Sequence, residues 1–106
     1  MTVLCVYVTY KDQAQAQAVS KAAIDARLAA CANIFHVHES LYCWDGAVQN
    51  STEVAVLYKT TAALYPALEA KIKALHSYEC PCIVAWQLEH GNPAFLEWIH
   101  ETVQTQ

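Results

Sequence analysis

Residues 3–9, Val-Leu-Cys-Val-Tyr-Val-Thr, are apolar or β-branched without a break. A strand that does not alternate has no face meant for water, so both sides of its sheet must be covered. No other stretch constrains the fold as tightly. A chain of 106 residues has material for one core and a single domain, 1–106. Helices of the same chain can cover one sheet face. The other face then needs a second copy of the chain.

The remaining pattern places those helices. Asp12 is positioned to cap a helix over 13–30, with Gln15 three residues on as in a capping box. Val19, Ala22, Ala23, Ala26 and Ala30 form its narrow apolar stripe. Residues 34–44 read as a second strand. Asp45-Gly46 supplies a two-residue hairpin turn, because both residues tolerate positive φ. A third strand follows over 53–60, with Trp44 facing Ala47 and His38 facing Glu53. Thr60 or Thr61 is placed to cap a second helix, whose face is Leu64, Leu68, Ile72 and Leu75. Pro66 falls in its first turn, where a missing N–H costs little. Residues 82–89 read as the fourth strand. Asn92-Pro93 open a last helix with Phe95, Leu96, Trp98, Ile99 and Val103 on its apolar face. The order β-α-β-β-α-β, followed by an extra C-terminal helix, predicts an α+β ferredoxin-like sandwich.

Strict alternation along the hairpin puts Phe35, Val37, Leu41, Val54, Val56 and Tyr58 under the helices. It puts Ile34, His36, His38, Tyr42, Glu53, Ala55, Leu57 and Lys59 on the opposite face. Ile34, Tyr42 and Leu57 are poor company for water. Covering roughly 400 Å² of apolar surface there contributes on the order of 10 kcal/mol per chain before association costs. An oligomer is therefore expected.

Composition removes several classes. Six basic and ten acidic residues leave a net charge of -4. Without clustered Lys and Arg, neither nucleic acid nor an anionic membrane is an expected partner. No apolar run approaches the roughly 20 residues of a membrane span. The first residues lack the basic region of a signal peptide. Five cysteines form no CxxC pair, which suits free thiols in a reducing compartment. The expected setting is the cytoplasm. No serine elbow and no Gly-rich phosphate loop is present, so no enzyme is expected.

Four segments can carry chemistry, and each has a structural alternative. Cys31 follows the first helix; it is either a reactive thiol or a small residue at a tight crossing. Tyr42-Cys43-Trp44 flank the hairpin turn, where aromatics wall a pocket, plug a neighbouring subunit or pack across the strands. His76-Ser77-Tyr78-Glu79-Cys80-Pro81-Cys82 holds an imidazole, a carboxylate and two thiols in one loop. That donor set suits copper or zinc. Alternatively, His76 meets a helix dipole and the cysteines enter a strand. A closed four-ligand zinc site is not expected, because the paired spacings are missing. His36 and His38 share one strand face, either as a metal or proton-sensitive patch or as solvated histidines.

Taken together, the segments resemble the CutA-type divalent-cation tolerance family. The resemblance rests on Arg27-Leu28-Ala29-Ala30-Cys31-Ala32-Asn33-Ile34, on Ser40-Leu41-Tyr42-Cys43-Trp44-Asp45-Gly46, on Glu53-Val54 and on Lys59-Thr60-Thr61. It continues through Leu75-His76, Tyr78-Glu79, Pro81, Gly91-Asn92-Pro93 and Phe95-Leu96-Glu97-Trp98-Ile99. It implies a ferredoxin-like homotrimer related to the PII regulators, with a cleft between subunits and a role in tolerance of divalent metal ions, copper above all. Carried over by position, it implies a metal site near His76 and Glu79. It also implies an intersubunit cleft marked by Cys31, Tyr42, Trp44, Lys59, Tyr78 and Trp98. Relatives usually carry Glu where this chain has Cys82, which makes Cys80 and Cys82 softer candidate ligands. The competing expectation is a PII-like trimer that binds a small anionic metabolite, with Lys59 and Arg27 as the attracting charges.

Overall fold

A computed structural model describes residues 2–104. The elements run β1 (Val3–Tyr10), α1 (Gln13–Asp25), β2 (Cys31–Trp44), β3 (Ala47–Thr61), α2 (Tyr65–Leu75), β4 (Ile83–Gln87) and α3 (Pro93–Thr102). The four strands form one sheet in the order β2-β3-β1-β4, every neighbouring pair antiparallel. This is the ferredoxin-like arrangement with an added helix. The uninterrupted strand at the N-terminus lies at the centre of the sheet.

Its even positions Val6, Val8 and Tyr10 join Val54, Val56 and Tyr58 of β3 under α1 and α2. Ala16, Val19 and Ala23 of α1 complete that core together with Leu68 and Ile72 of α2. The alanines let α1 approach closely, so two tyrosines fit beneath it. Their hydroxyls share a 2.6 Å hydrogen bond, and Tyr58 also meets Ser20 Oγ at 3.0 Å. The buried polar atoms thereby satisfy one another. Ile99 and Val103 bring α3 into the same core.

Helix α1 ends at Asp25, earlier than the alanine stripe suggests. Arg27 adopts φ 59°, and its N–H bonds Ile24 O while the Leu28 N–H bonds Ala23 O. That is a Schellman stop with arginine in the left-handed position usually held by glycine. The Arg27 side chain is committed too, because Nε donates to the Thr102 carbonyl at 3.0 Å. Asp12 caps α1 as expected, accepting from Gln15 N at 2.9 Å. The Gln15 side chain does not close a capping box; its Oε1 accepts from Ser77 Oγ at 3.0 Å. Thr60 and Thr61 do not cap α2. Strand β3 runs through both, and Leu64 begins the helix without a side-chain cap.

The hairpin turn is as expected, with Asp45 at φ 53° and Gly46 at φ 76°, and with Trp44 opposite Ala47. His38 opposes Glu53. Further down β2 the alternation breaks. Ile34 opposes Val56 while Val37 opposes Val54, so Phe35 and His36 share the place opposite Ala55. This β-bulge corrects the expected faces. Ile34 packs on the core side, and Phe35 is 46% exposed. Beyond Tyr10↔Val54 the hairpin has no β1 partner, yet it continues to Trp44↔Ala47. It projects about 20 Å as a two-stranded arm. Leu41 and Val48 on the arm are 66% and 76% exposed.

The odd positions of β1 face away from α1 and α2. Tyr7 lies between Leu57 and Val84, and Cys5 between Lys59 and Trp86. Val84 and Trp86 are 52% and 48% exposed. On this face Cys5, Thr9 and Ala55 are buried at the centre, while Val84 and Trp86 of β4 leave apolar surface uncovered in the single chain.

Candidate functional site

The loop from α2 to β4 is tied down at three successive residues. His76, at the end of α2, stacks on the buried Tyr10 ring at 4.8 Å and 15°. Its Nε2 donates to the Thr9 carbonyl at 2.7 Å, and its Nδ1 accepts from the Tyr78 N–H at 3.0 Å. A carbonyl can only accept and an N–H can only donate, so these partners fix the tautomer with the proton on Nε2. Both nitrogens are then spent. Ser77 holds Gln15 of α1. Tyr78 OH donates to Glu53 Oε2 at 2.8 Å. Burial first, and then the bonded Glu53 carboxylate, push the Tyr78 hydroxyl well above its ordinary range, so it stays a donor.

These ties close one side of a cleft of about 1000 Å³. Tyr7 and Thr9 of β1 make its floor. Tyr42 and Trp44 of the hairpin arm form one wall, and Tyr78, Glu79, Cys80 and Cys82 form the other. Glu53 reaches in from β3. The lining carries two carboxylates and no Lys, Arg or His. Partial burial raises the Cys82 thiol, and Glu53 raises it further against an opposing bond with Thr9. Cys82 therefore presents a neutral thiol beside a carboxylate.

The structure divides the sequence-derived site residues. Tyr42, Trp44, Tyr78, Glu79, Cys80 and Cys82 meet at this cleft. His76 lies beneath it and holds it from below. Among the described residues, no three His, Cys, Asp or Glu side chains are grouped to hold a metal ion. The expected four-residue set of His76, Glu79, Cys80 and Cys82 therefore does not form a shell within one chain. Both ring nitrogens of His76 already have hydrogen-bond partners within the chain. Cys31 and Lys59 oppose each other on the open sheet face, with Cys5 on the far side of Lys59. Lys59 Nζ donates to Asn33 Oδ1. Lys59 lies six positions along β3 from Glu53, which is about 20 Å of strand. Trp98 lies on α3, stacked on Phe95 at 5.6 Å, and does not line the cleft.

Sequence reasoning missed Tyr7 and Thr9. Within the unbroken apolar strand 3–9 neither residue carries a chemical signal of its own. The available signal was their parity: odd positions of β1 share the face that carries Glu53 once Thr9 is set opposite Ala55.

A ferredoxin-like sheet with helices on one face, a second face that no helix covers, a projecting arm and a tethered loop defines a class: small α+β sandwiches of the ferredoxin type with an extended hairpin. Comparison with known proteins narrows it to one family. The CutA1 divalent ion tolerance protein profile matches residues 4–102, and the chain belongs to that family. The divalent-cation tolerance protein CutA of Thermus thermophilus is 40% identical over 96 residues, which are 91% of this chain and 93% of the relative. The solved structure of the periplasmic divalent cation tolerance protein CutA from Archaeoglobus fulgidus superposes with a TM-score of 0.93 at 36% identity, covering 96% of this chain and 99% of that one. Rice CutA1 superposes with a TM-score of 0.97 at 33% identity, covering 100% and 97%.

Proposed function

We propose that this chain is a non-enzymatic divalent-cation tolerance protein that works as a homotrimer and meets its metal ion at the cleft. The charge that one chain gives the cleft carries this reading: Glu53 and Glu79 line it with the Cys80 and Cys82 thiols, and no basic side chain of the same chain does. Such a lining attracts cations and repels anions. Copper suits the thiols best, and zinc also suits the mixed oxygen and sulfur donors. Glu79, Cys80 and Cys82 would supply a partial shell, completed by water or a neighbouring copy. The role of His76 is to position the loop that bears them.

Assembly is supported by what a single chain leaves uncovered. The arm carries Leu41, Trp44 and Val48 beyond its own core, and β4 exposes Val84 and Trp86. The Cys31–Lys59 end and the Tyr42–Trp44 end can meet only between copies. A cytoplasmic setting belongs to the same proposal, because all five cysteines are free thiols. No helix among the described residues is long and apolar enough to cross a membrane. The PII-like alternative has weaker support, because Arg27 is bound to the end of α3 and the cleft is acidic.

The test combines calorimetric titration with sedimentation. Zn²⁺ serves as a redox-inert probe and Cu²⁺ is compared with it. Binding is expected to weaken by more than about a hundredfold in the Glu79→Gln, Cys80→Ser, Cys82→Ser variant, because loss of an outer-shell partner alone costs about 10–100-fold. Unchanged affinity there removes the site. A monomer at micromolar concentration removes the assembly.

A further inference from the structure

The loop into β4 carries a donor pair that a divalent ion would use only in part. Cys80 and Cys82 flank Pro81, and both side chains line the same wall of the cleft. Both are free thiols. Proline fixes its own φ and holds the residue before it in an extended conformation, so the pair sits on a stiffened segment. Ile83 then enters the sheet opposite Val8, and Cys82 also bonds Thr9. On its other side the loop is anchored by the Tyr78 N–H on His76 and by the Tyr78 hydroxyl on Glu53.

Two residues of chain span at most about 7 Å between Cα atoms, and each cysteine side chain can swing inward from its own Cα. The sulfurs can therefore stand about 4.6 Å apart, twice the roughly 2.3 Å of a zinc–thiolate bond. One ion fits between them in a linear S–M–S unit. A divalent ion such as Zn²⁺ takes four ligands, and among the described residues no three His, Cys, Asp or Glu side chains are grouped to hold an ion. A soft monovalent d¹⁰ ion is satisfied by two thiolates. The chain meets that smaller demand within three consecutive residues. The pair is complete in one loop, so a neighbouring copy is not needed to build it. A copy that covers the loop shields the unit from water.

We infer that Cys80 and Cys82 form a two-coordinate dithiolate site for a soft monovalent metal ion of the Cu⁺ class. The inference rests on reading this loop as a metal site, but it changes the ion and the shell: the carboxylates are not ligands, and one chain suffices. On binding, two S–H bonds break, two S–M bonds form and two protons leave. The bis-thiolate complex carries one negative charge, and no electron is transferred.

The test uses the full chain in its native assembly, reduced and free of oxygen. Cu⁺ is supplied as its coloured bicinchoninate complex. One Cu⁺ per chain is expected to be withdrawn from the chelator, with X-ray absorption showing two sulfur neighbours and no oxygen or nitrogen. Cys80→Ser and Cys82→Ser should each weaken Cu⁺ binding by more than about a hundredfold, because loss of an outer-shell partner alone costs about 10–100-fold. Serine keeps a hydroxyl for Thr9 at position 82, and sedimentation checks that each variant assembles as the parent does. Cys43→Ser, on the hairpin arm, should bind Cu⁺ within about threefold of the parent. Cu⁺ left with the chelator, a third ligand in the absorption spectrum, or either loop variant binding like the parent overturns the inference. An equal loss in Cys43→Ser also overturns it. A parallel Zn²⁺ titration separates the readings: Cu⁺ held by two sulfurs with Zn²⁺ unbound leaves this inference standing and removes the divalent site, and Zn²⁺ bound with Cu⁺ left to the chelator does the reverse.

Discussion

His76 offers the sharpest division between a ligand and a structural post. The residue makes two hydrogen bonds, to Thr9 O and from the Tyr78 N–H, and one ring stack on Tyr10. Each bond contributes about 1 kcal/mol net. The stack adds about 1 kcal/mol beyond its buried area. His76→Ala should therefore lower unfolding free energy by about 3 kcal/mol. His76→Gln is the more informative variant, because its amide can both donate to Thr9 and accept from Tyr78 while losing the aromatic face. It should recover about two thirds of that loss. Urea unfolding is measured at matched protein concentration and without metal, since assembly and ligand both shift apparent stability. Zn²⁺ affinity is then measured on the same preparations. His76→Gln should bind Zn²⁺ within about threefold of the parent because it keeps both hydrogen bonds, whereas loss of an outer-shell partner costs about 10–100-fold and a direct ligand more. A His76→Gln protein as stable as the parent that has lost more than about a hundredfold in Zn²⁺ affinity would refute the reasoning, because the imidazole would then be a ligand after all.

Tyr58→Phe removes the hydroxyl shared by Tyr10 and Ser20 and should cost about 2 kcal/mol, because two buried groups lose a partner; a double-mutant cycle with Tyr10→Phe should show coupling of about 1 kcal/mol, and strict additivity would contradict the network. The Tyr65 hydroxyl is pushed up to about 12 by burial and its bond to Glu69. A raised acid favours the folded state while protonated, so its stabilisation is intact below the ordinary tyrosine value of 10.0 and is lost as pH rises from there to about 12. Tyr65→Phe should flatten that part of an alkaline stability profile, and an unchanged slope would count against the assignment. At Arg27, alanine should be less stable than glycine by about 1 kcal/mol, because φ 59° penalises any Cβ; thermal melts showing the opposite order would contradict the Schellman geometry.

The amino-acid pattern alone determined the element order, the hairpin turn at Asp45-Gly46, the N-caps at Asp12 and Asn92, and the need for a covered second sheet face. These are local or periodic properties, set by backbone preferences and by which residues avoid water. The loop residues Tyr78 to Cys82 were also legible as a chemical cluster, because their donor atoms are close in sequence. Tertiary structure decided the rest. The bulge opposite Ala55 moved Ile34 inward and Phe35 outward, because one extra residue reverses side-chain parity and no composition signal marks it. The positive φ of Arg27 ended α1 early, stabilised by a contact with Thr102 that sequence separation hides. The contacts of His76 with Thr9 and Tyr10 engage the ring of a residue expected to be a metal ligand. Its hydrogen-bond capacity was a property of the sequence, but who would use it depended on which strand lay beneath the ring.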